Sequence, residues 1–397
     1  MTLTTDHSKA ELESENLRFG PARAGESRAT RFASFDVAAH PVPTGREEEW
    51  RFSPLRALLP LFQAEETTVS ADHVSYDVDE VEGIEIGQLG ASEAPRHSAL
   101  VPEDLIAART AQLCANALHL RARRGTEADA PAIVEITGHD ASVVAHGAVV
   151  LETEESSQAT FVLNHTGSAS YAQNVEMILG DNSRMTVISL QDWDDDAVHV
   201  ATHVARLGRD ATLKHIVVSL GGKAVRVNST TRFAAPGAEV EQIGLYFSDA
   251  HQHLEHRLFV DHAAPKCTSN VTYKGALQGK AARSVWIGDV LIRAEAEGTE
   301  TYEVNRNLVL TEGARADSVP NLEIETGEIE GAGHAAATGR FDDEQLFYLR
   351  SRGIPEIEAR RLVVRGFFAE LIQKIDVPSI REHLTASIET ELARSMN

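Results

Sequence analysis

Between Ala132 and about Ile324 the chain is a succession of short β-rich runs, AIVEI, SVVAHGAVVLE, ATFVLN, NVEMIL, RMTVISL, TLKHIVVSL and EVEQIGLYF among them, nearly all separated by turn residues. A weak echo runs through them. Leu-Gly-Asp-Asn-Ser-Arg-Met-Thr-Val begins at Leu179, Leu-Gly-Arg-Asp-Ala-Thr-Leu-Lys begins at Leu207, and Pro236, Gly237, Ala238, Glu239 and Val240 follow at nearly the same interval. A turn that returns about every 27 or 28 residues is the mark of stacked coils, in which each rung buries its inner side chains against the next and the backbone pairs along the stack. A β-sandwich would also need many short strands, but it favours hairpin turns of the Asn-Gly or Asp-Gly kind, and neither dipeptide occurs in this region. The fold expected is mainly β, a solenoid flanked by helical regions at both ends.

The flanks read differently. Residues 1–35 are polar with no sustained apolar face, which favours a mobile tail. The stretch EEEWRFSPLRALLPLF from Glu47 reads as a short helix broken or kinked at Pro54 and Pro60, with Trp50, Phe52, Leu55 and Leu58 free to dock it on the body. PEDLIAARTAQLCANALHL has an amphipathic period and acidic residues at its start, predicting a second helix through about Leu118.

At the other end Leu322, Ile324 and Ile329 alternate with glutamates like a half-buried strand, and then a small-residue run from Gly331 to Ala337 turns towards helix with His334 in its middle. Asp342 and Gln345 resemble a capping box, Gly353 ends that helix, Pro355 starts the next, and a third follows Pro378. Phe347, Leu349, Leu362, Val363, Phe367, Phe368, Leu371, Ile372 and Ile375 give these helices a broad apolar surface that must cover a core or a partner. The organisation expected is a tail over 1–35, an N-terminal helical region over 36–131, the solenoid over 132–335 and a C-terminal helical domain over 336–397.

Charge and cysteine content narrow the chemistry. Lys plus Arg number 37 against 60 Asp plus Glu, a formal charge of -23, so neither nucleic acid nor an anionic bilayer is an expected partner. No apolar run approaches the ~20 residues needed to span a bilayer. The start, MTLTTDHSKAELESE, lacks a basic leader and an apolar signal core, so a cytoplasmic location is expected. Cys114 and Cys267 are the only two cysteines, so the chain by itself cannot offer four thiolates to an iron-sulfur cluster.

Several residue groups invite chemical readings. His251, His253, His256 and His262 stand close to Cys267; His251 and His253 would share one side of a strand and hold a cation with a third ligand, whereas the plainer reading is structural histidines at coil edges. GLYFSDAHQHLEH is similar to the cupin metal motif, but Glu255 follows the second histidine too closely. Cys267 and Cys114 read as small buried side chains. YKGALQGKAARS resembles a phosphate loop with one residue too few between its glycines, Ala281 in place of the magnesium-binding hydroxyl, and no helix after it. Asn305, Arg306 and Asn307 read as a polar ladder between coils. Asp192, Asp194, Asp195 and Asp196 would suit a β-helical hydrolase or lyase acting on an acidic polysaccharide, though adjacent acids in a turn are ordinarily solvated. His334 alone reads as a surface histidine in a flexible turn.

The string GHAAATGRFDDEQLFYLRSRGI resembles the signature of the SufB/SufD family. His256, Asp261, His262, Ala264, Pro265, Cys267, Ser269, Asn270, Tyr273, Lys274, Gly275, Leu277, Gly279 and then Asn305, Arg306, Asn307 and Leu308 resemble the same family's core. Pro43, Thr44, Glu47, Glu49 and Trp50 are similar to the N-terminal motif of its SufD branch, and the matches together run from about Pro41 to Ile375.

The resemblance implies a right-handed parallel β-helix and a scaffold, not an enzyme, that pairs with SufB and holds the SufC ATPase. Phe347, Tyr348, Arg352, Gly353, Ile354, Phe367 and Phe368 would form the SufC side. It implies that His334 faces a SufB cysteine where an iron-sulfur cluster assembles transiently, with ATP bound by SufC and not by this chain. No residue places a flavin. The chain departs from the family pattern at Ala332, where many members carry cysteine, and at Gly333 and Ala335 beside the histidine; a SufB-type main scaffold would need that cysteine. An exposed β edge in this segment would also let the chain alone pair as a homodimer.

Overall fold

The computed structural model describes residues 31–63, 73–341 and 343–394. Of the tail expected over 1–35, residues 1–30 lie outside them. The first described elements are a 3-10 turn, Val37–Ala39, capped by Asp36, then α1 (Leu55–Gln63), β1 (Val74–Val78), β2 (Ile84–Gly90), α2 (Leu105–Leu113) and β3 (Asn116–Ala122). Two long strands follow, β4 (Ala132–Thr153) and β5 (Gln158–Leu179). One wall then contains β7 (Val198–Leu207), β9 (Ala224–Phe233), β11 (His253–His262), β13 (Arg283–Ile292) and β15 (Arg315–Ile324). The facing wall contains β6 (Arg184–Trp193), β8 (Thr212–Ser219), β10 (Glu239–Ser248), β12 (Thr268–Leu277), β14 (Thr299–Val309) and β16 (Ile329–Arg340). Helices α3 (Asp343–Ser351), α4 (Glu356–Gln373) and α5 (Pro378–Arg394) end the described chain.

From β5 onward each strand pairs in parallel with the strand one full turn ahead, so the fold is the expected β-solenoid. The sequence echo is one rung: Leu179 lies directly beside Leu207 in the register of β5 and β7. At the corner beyond it, one residue per turn takes left-handed backbone, Ser156, Asn182, Asp210, Gly237, Lys266 and Gly298 in succession. Each donates its N–H to a carbonyl of the next turn, as from Asn182 to Arg209 at 2.7 Å and from Lys266 to Glu297 at 2.8 Å. The Asn, Asp and Gly among them tolerate that conformation, which is why turn chemistry recurs where strand residues vary.

The strands bury both faces, so they read as near-continuous apolar runs. Inward residues such as Phe161, Tyr171, Leu213, Val240 and Trp286 fill the lumen. The outer face of one wall is covered by α4 and α5, with Val364, Phe368, Leu371 and Ile388 against Ile216, Ile243, Leu245 and Phe247. The outer face of the other is covered by the N-terminal segment, through Trp50, Leu58, Leu61, Phe62 and Ile106 against Val198 and Val200. Two glycines interlock the lumen: a Cβ on Gly244 would collide with the ring of Tyr273, and one on Gly275 with the ring of Tyr246. Gly275→Ala is therefore expected to destabilise the protein by about 1–3 kcal/mol through overpacking, read as a lowered urea midpoint; an unchanged midpoint would show that the rings yield freely.

The flanking segments depart from the sequence expectations in three places. The region 36–131 contains three strands beside its helices, since β1 pairs antiparallel with β4, and β3 pairs parallel with it. The helix expected through Leu118 stops at Leu113, and Asn116–Ala122 enters the sheet instead, because Leu120 and Ala122 bury against β4 and pairing overrides local helix propensity. The helix expected from Glu47 begins only at Leu55, the residues before Pro54 forming turns, and α1 then runs through Pro60, held by the buried Leu58, Leu61 and Phe62. The capping box of Asp342 and Gln345 lies outside the residues whose side chains are described. Gly353 has φ of +87° and ends α3, while Pro355 precedes the first residue of α4, both as expected.

Candidate functional site

His334 lies in β16, not in a turn. That strand continues the solenoid to Arg340, pairing in parallel with β14 and ending the wall, with no further strand beyond it among the described residues. The small side chains that suggested a turn are compatible with a strand because Ala332 packs on the lumen core while Gly333 lies against the ring of Tyr302, a Cβ there falling 3.0 Å from it. His334 itself is exposed, as are Ala335 to Arg340. Its register partner is Glu303, followed by Asn305 beside Ala336 and Asn307 beside Thr338.

This end of the lumen is polar. Thr301, Glu303, Asn305 and Asn307, alternate residues of β14, are all buried. Asn305 donates to the hydroxyl of Tyr246 at 3.0 Å, that hydroxyl donates to Asn307 Oδ1 at 2.5 Å, and Asn307 donates to Asn305 Oδ1 at 2.8 Å. The polar ladder expected of Asn305, Arg306 and Asn307 is thus present at the two asparagines, with Ser318 donating into it at 2.6 Å, whereas Arg306 alternates to the outer face and is exposed. Glu303 was missed in the sequence, although the alternation of TETYEVNRN places it on the same face as the two asparagines.

The other candidate groups do not converge. Among the described residues no cluster of three or more His, Cys, Asp or Glu is placed to hold a metal ion. His251 sits in a turn with φ of +67°, outside β11, so it does not share a strand face with His253. His256 stacks on Tyr246 and lies 2.9 Å from Ser219 Oγ, while His262 stacks on Phe233 and lies 2.9 Å from Ser269 Oγ. Burial pushes both imidazoles down to about 3, so they are neutral packing groups. Asp192 pairs with His383 of α5, Asp195 accepts from Gln252 and Asp196 accepts from Ser168, so these acids face different partners instead of forming a carboxylate pair. YKGALQGKAARS runs from β12 through a turn into β13, with no helix to receive a phosphate.

Both cysteines are buried. Burial raises the Cys114 thiol to about 12 against the opposing pull of Arg96, and burial raises that of Cys267. Neither offers a thiolate at the surface.

On the C-terminal helices, the residues expected on a partner surface divide. Phe347 is 74% exposed and Tyr348 58% exposed, Arg352 and Gly353 are exposed, and Ile354 and Phe367 are half-buried. Phe368 is fully buried against the solenoid and belongs to the core, because α4 turns that face inward.

The model of the SufBD core domain of the SUF system for FeS cluster assembly matches residues 135–367. The chain belongs to the SufBD family. An iron-sulfur cluster assembly SufBD family protein of Mycobacterium bovis is 53% identical over 367 residues, covering 91% of this chain and 92% of that relative. The iron-sulfur cluster assembly protein SufD of Escherichia coli is 24% identical over 382 residues, 88% of this chain and 89% of its own length. SufD of Bacillus subtilis is 27% identical over 250 residues, 62% of this chain and 57% of its own.

Family membership assigns the chain to iron-sulfur cluster assembly. The Pro43 to Trp50 stretch lies before the matched core domain and has a structural role of its own. Glu47 accepts backbone N–H groups of Thr44, Gly45 and Arg46, the ring of Trp50 lies 3.8 Å beneath the guanidinium of Arg226, and Arg257 donates to the Glu48 carbonyl, so this stretch docks the N-terminal segment on β9 and β11. No helix among the described residues is long and apolar enough to cross a membrane.

Proposed function

We propose that this SufBD chain is a SufD-like scaffold subunit of a cytoplasmic SUF complex, working without a catalytic cycle of its own. The open end of the walls, β14 to β16, pairs with a SufB homologue, and the exposed face of α3 around Phe347, Tyr348 and Arg352 receives a SufC ATPase. His334 stands at the shared edge, where the iron-sulfur cluster is cargo built between the subunits. One observation carries this reading: the histidine is exposed on an unpaired strand edge while both cysteines are buried, so the chain brings an imidazole to an interface and depends on another chain for thiolates. A neutral imidazole suits iron and leaves the partner's sulfur to complete the site. Nucleotide bound by SufC supplies the differential energy that opens and closes that interface, since this chain has no phosphate loop of its own.

Anaerobic reconstitution with SufB and SufC homologues tests the reading. The complex containing His334→Ala is expected to assemble normally and to lose cluster yield by about tenfold or more, a ligand costing at least as much as an outer-shell partner. Undiminished yield in an intact complex removes the metal contact at His334. Failure of the wild-type chain to recruit either partner, or its persistence as a homodimer in their presence, removes the scaffold assignment.

A further inference from the structure

His334 does not stand alone on its face. In the parallel register of β14 and β16 it lies beside Glu303, whose side chain is 1% exposed and enters the polar end of the lumen. Alternation along β14 puts Thr301, Glu303, Asn305 and Asn307 inward, and the same alternation puts Ala332, His334, Ala336 and Thr338 above them. The opposite wall is shaped for the carboxyl group: Gly288 carries no side chain where a Cβ would lie 2.8 Å from Glu303 Oε1, beside the ring of Trp286. The carboxylate thus sits one rung below an exposed imidazole, roofed towards the solenoid interior by an indole and a glycine.

We propose that Glu303 is a positioning residue for His334: when a divalent metal ion takes one ring nitrogen at the open edge, the Glu303 carboxyl group, which makes no hydrogen bond to His334 in this structure, turns to accept the other ring N–H. This rests on the reading of His334 as a metal contact. A carboxylate behind a ligating histidine fixes the tautomer and ring orientation and strengthens the nitrogen as a donor, and its loss typically costs 10- to 100-fold in metal affinity. The neighbouring Ala332, Gly333, Ala335 and Ala336 leave the imidazole accessible to the ion and to a second subunit.

The test is a Co²⁺ titration of the full-length chain labelled with ¹³C-histidine, following paramagnetic broadening of the His334 ring signal, which is assigned by its disappearance in His334→Ala. Glu303→Gln is expected to require at least about tenfold more Co²⁺ for the same broadening, with a thermal midpoint no lower than wild type, a combination that a merely structural role would not produce. Glu303→Asp keeps the charge but withdraws it by one methylene, so an intermediate loss is expected, and this variant decides the matter if Glu303→Gln does not fold. Wild-type Co²⁺ affinity in a folded Glu303 variant overturns the positioning role while the His334 reading stands. A His334 ring signal that stays sharp in the wild-type chain at Co²⁺ concentrations that broaden other histidine signals overturns both.

Discussion

Acidification is expected to unfold the protein chiefly through its buried histidines, with stability already falling below about pH 6.5. His146, His215, His256 and His262 are buried and neutral, their imidazoles pushed down by burial to about 4, 4, 3 and 3. Once unfolded, each takes up a proton near its ordinary value of about 6.5. Between roughly pH 6.5 and the folded values the unfolded chain therefore binds more protons, and stability falls as pH falls, by ~1.4 kcal/mol per pH unit for each histidine and ~5 kcal/mol per unit for the four together. Stability is full above about pH 6.5. His165, His199 and His203 are lowered in the same direction by burial, whereas burial raises Glu176 and so opposes the trend slightly. Against a total of about 5–15 kcal/mol, acid unfolding is expected with a midpoint near pH 4–5. Urea midpoints at pH 7.5, 6 and 5 measure it, and a flat profile over that range would mean that the imidazoles are already charged or hydrated in the fold.

Glu255→Ala is the single substitution expected to cost most, about 3–5 kcal/mol, because it leaves charged partners buried without their counter-ion. Arg226 donates to Glu255 at 2.9 Å and Arg257 at 2.8 Å, with both side chains of the Arg226–Glu255 pair nearly or wholly excluded from solvent. Burial alone would raise the Glu255 carboxyl, but Arg226, the His253 hydrogen bond and Arg257 outweigh it and hold it well below the usual carboxylate range. Its contribution is therefore present above about pH 4.3, the unfolded carboxylate value, and is lost only as pH drops through the lower folded value. The same network holds the N-terminal segment, since Ser53 Oγ donates to Glu255 at 2.8 Å and Arg226 donates to the carbonyl of Glu49 at 2.8 Å. Besides a lower urea midpoint, Glu255→Ala is expected to speed proteolysis around Glu48 to Ser53. Pairing Arg226→Met with Glu255→Leu should recover most of the stability, as apolar replacement of a whole buried pair commonly does. No recovery would place the cost in packing at Glu255 and not in the stranded charge.

Local chemistry made most of the architecture readable. The corner residues Asn182, Asp210 and Gly237 announce themselves because few side chains accept left-handed backbone, and their spacing is the length of a rung. Gly353 and Pro355 mark a helix end and a helix start for the same kind of reason. Cys114, Cys267, His256 and His262 were legible as packing groups, since two cysteines far apart make no disulfide framework and histidines set among apolar strand residues ordinarily pack.

What alternation could not supply was which strands lie beside which. The segment after Leu113 became strand β3, and the run around His334 became strand β16, because a neighbouring edge was available to pair with, a circumstance set by residues tens of positions away. The placement of Glu303 under His334, of Arg226 against Glu255, and of Phe368 inside instead of outside all belong to that same class. The sequence by itself determined the winding, the family and the exposed imidazole's identity, because these depend on backbone conformation and residue type. Only the tertiary structure decided the partners of each charge and the edge left open, because those follow from the register of stacked turns and from the surfaces that the two flanking helical segments leave uncovered.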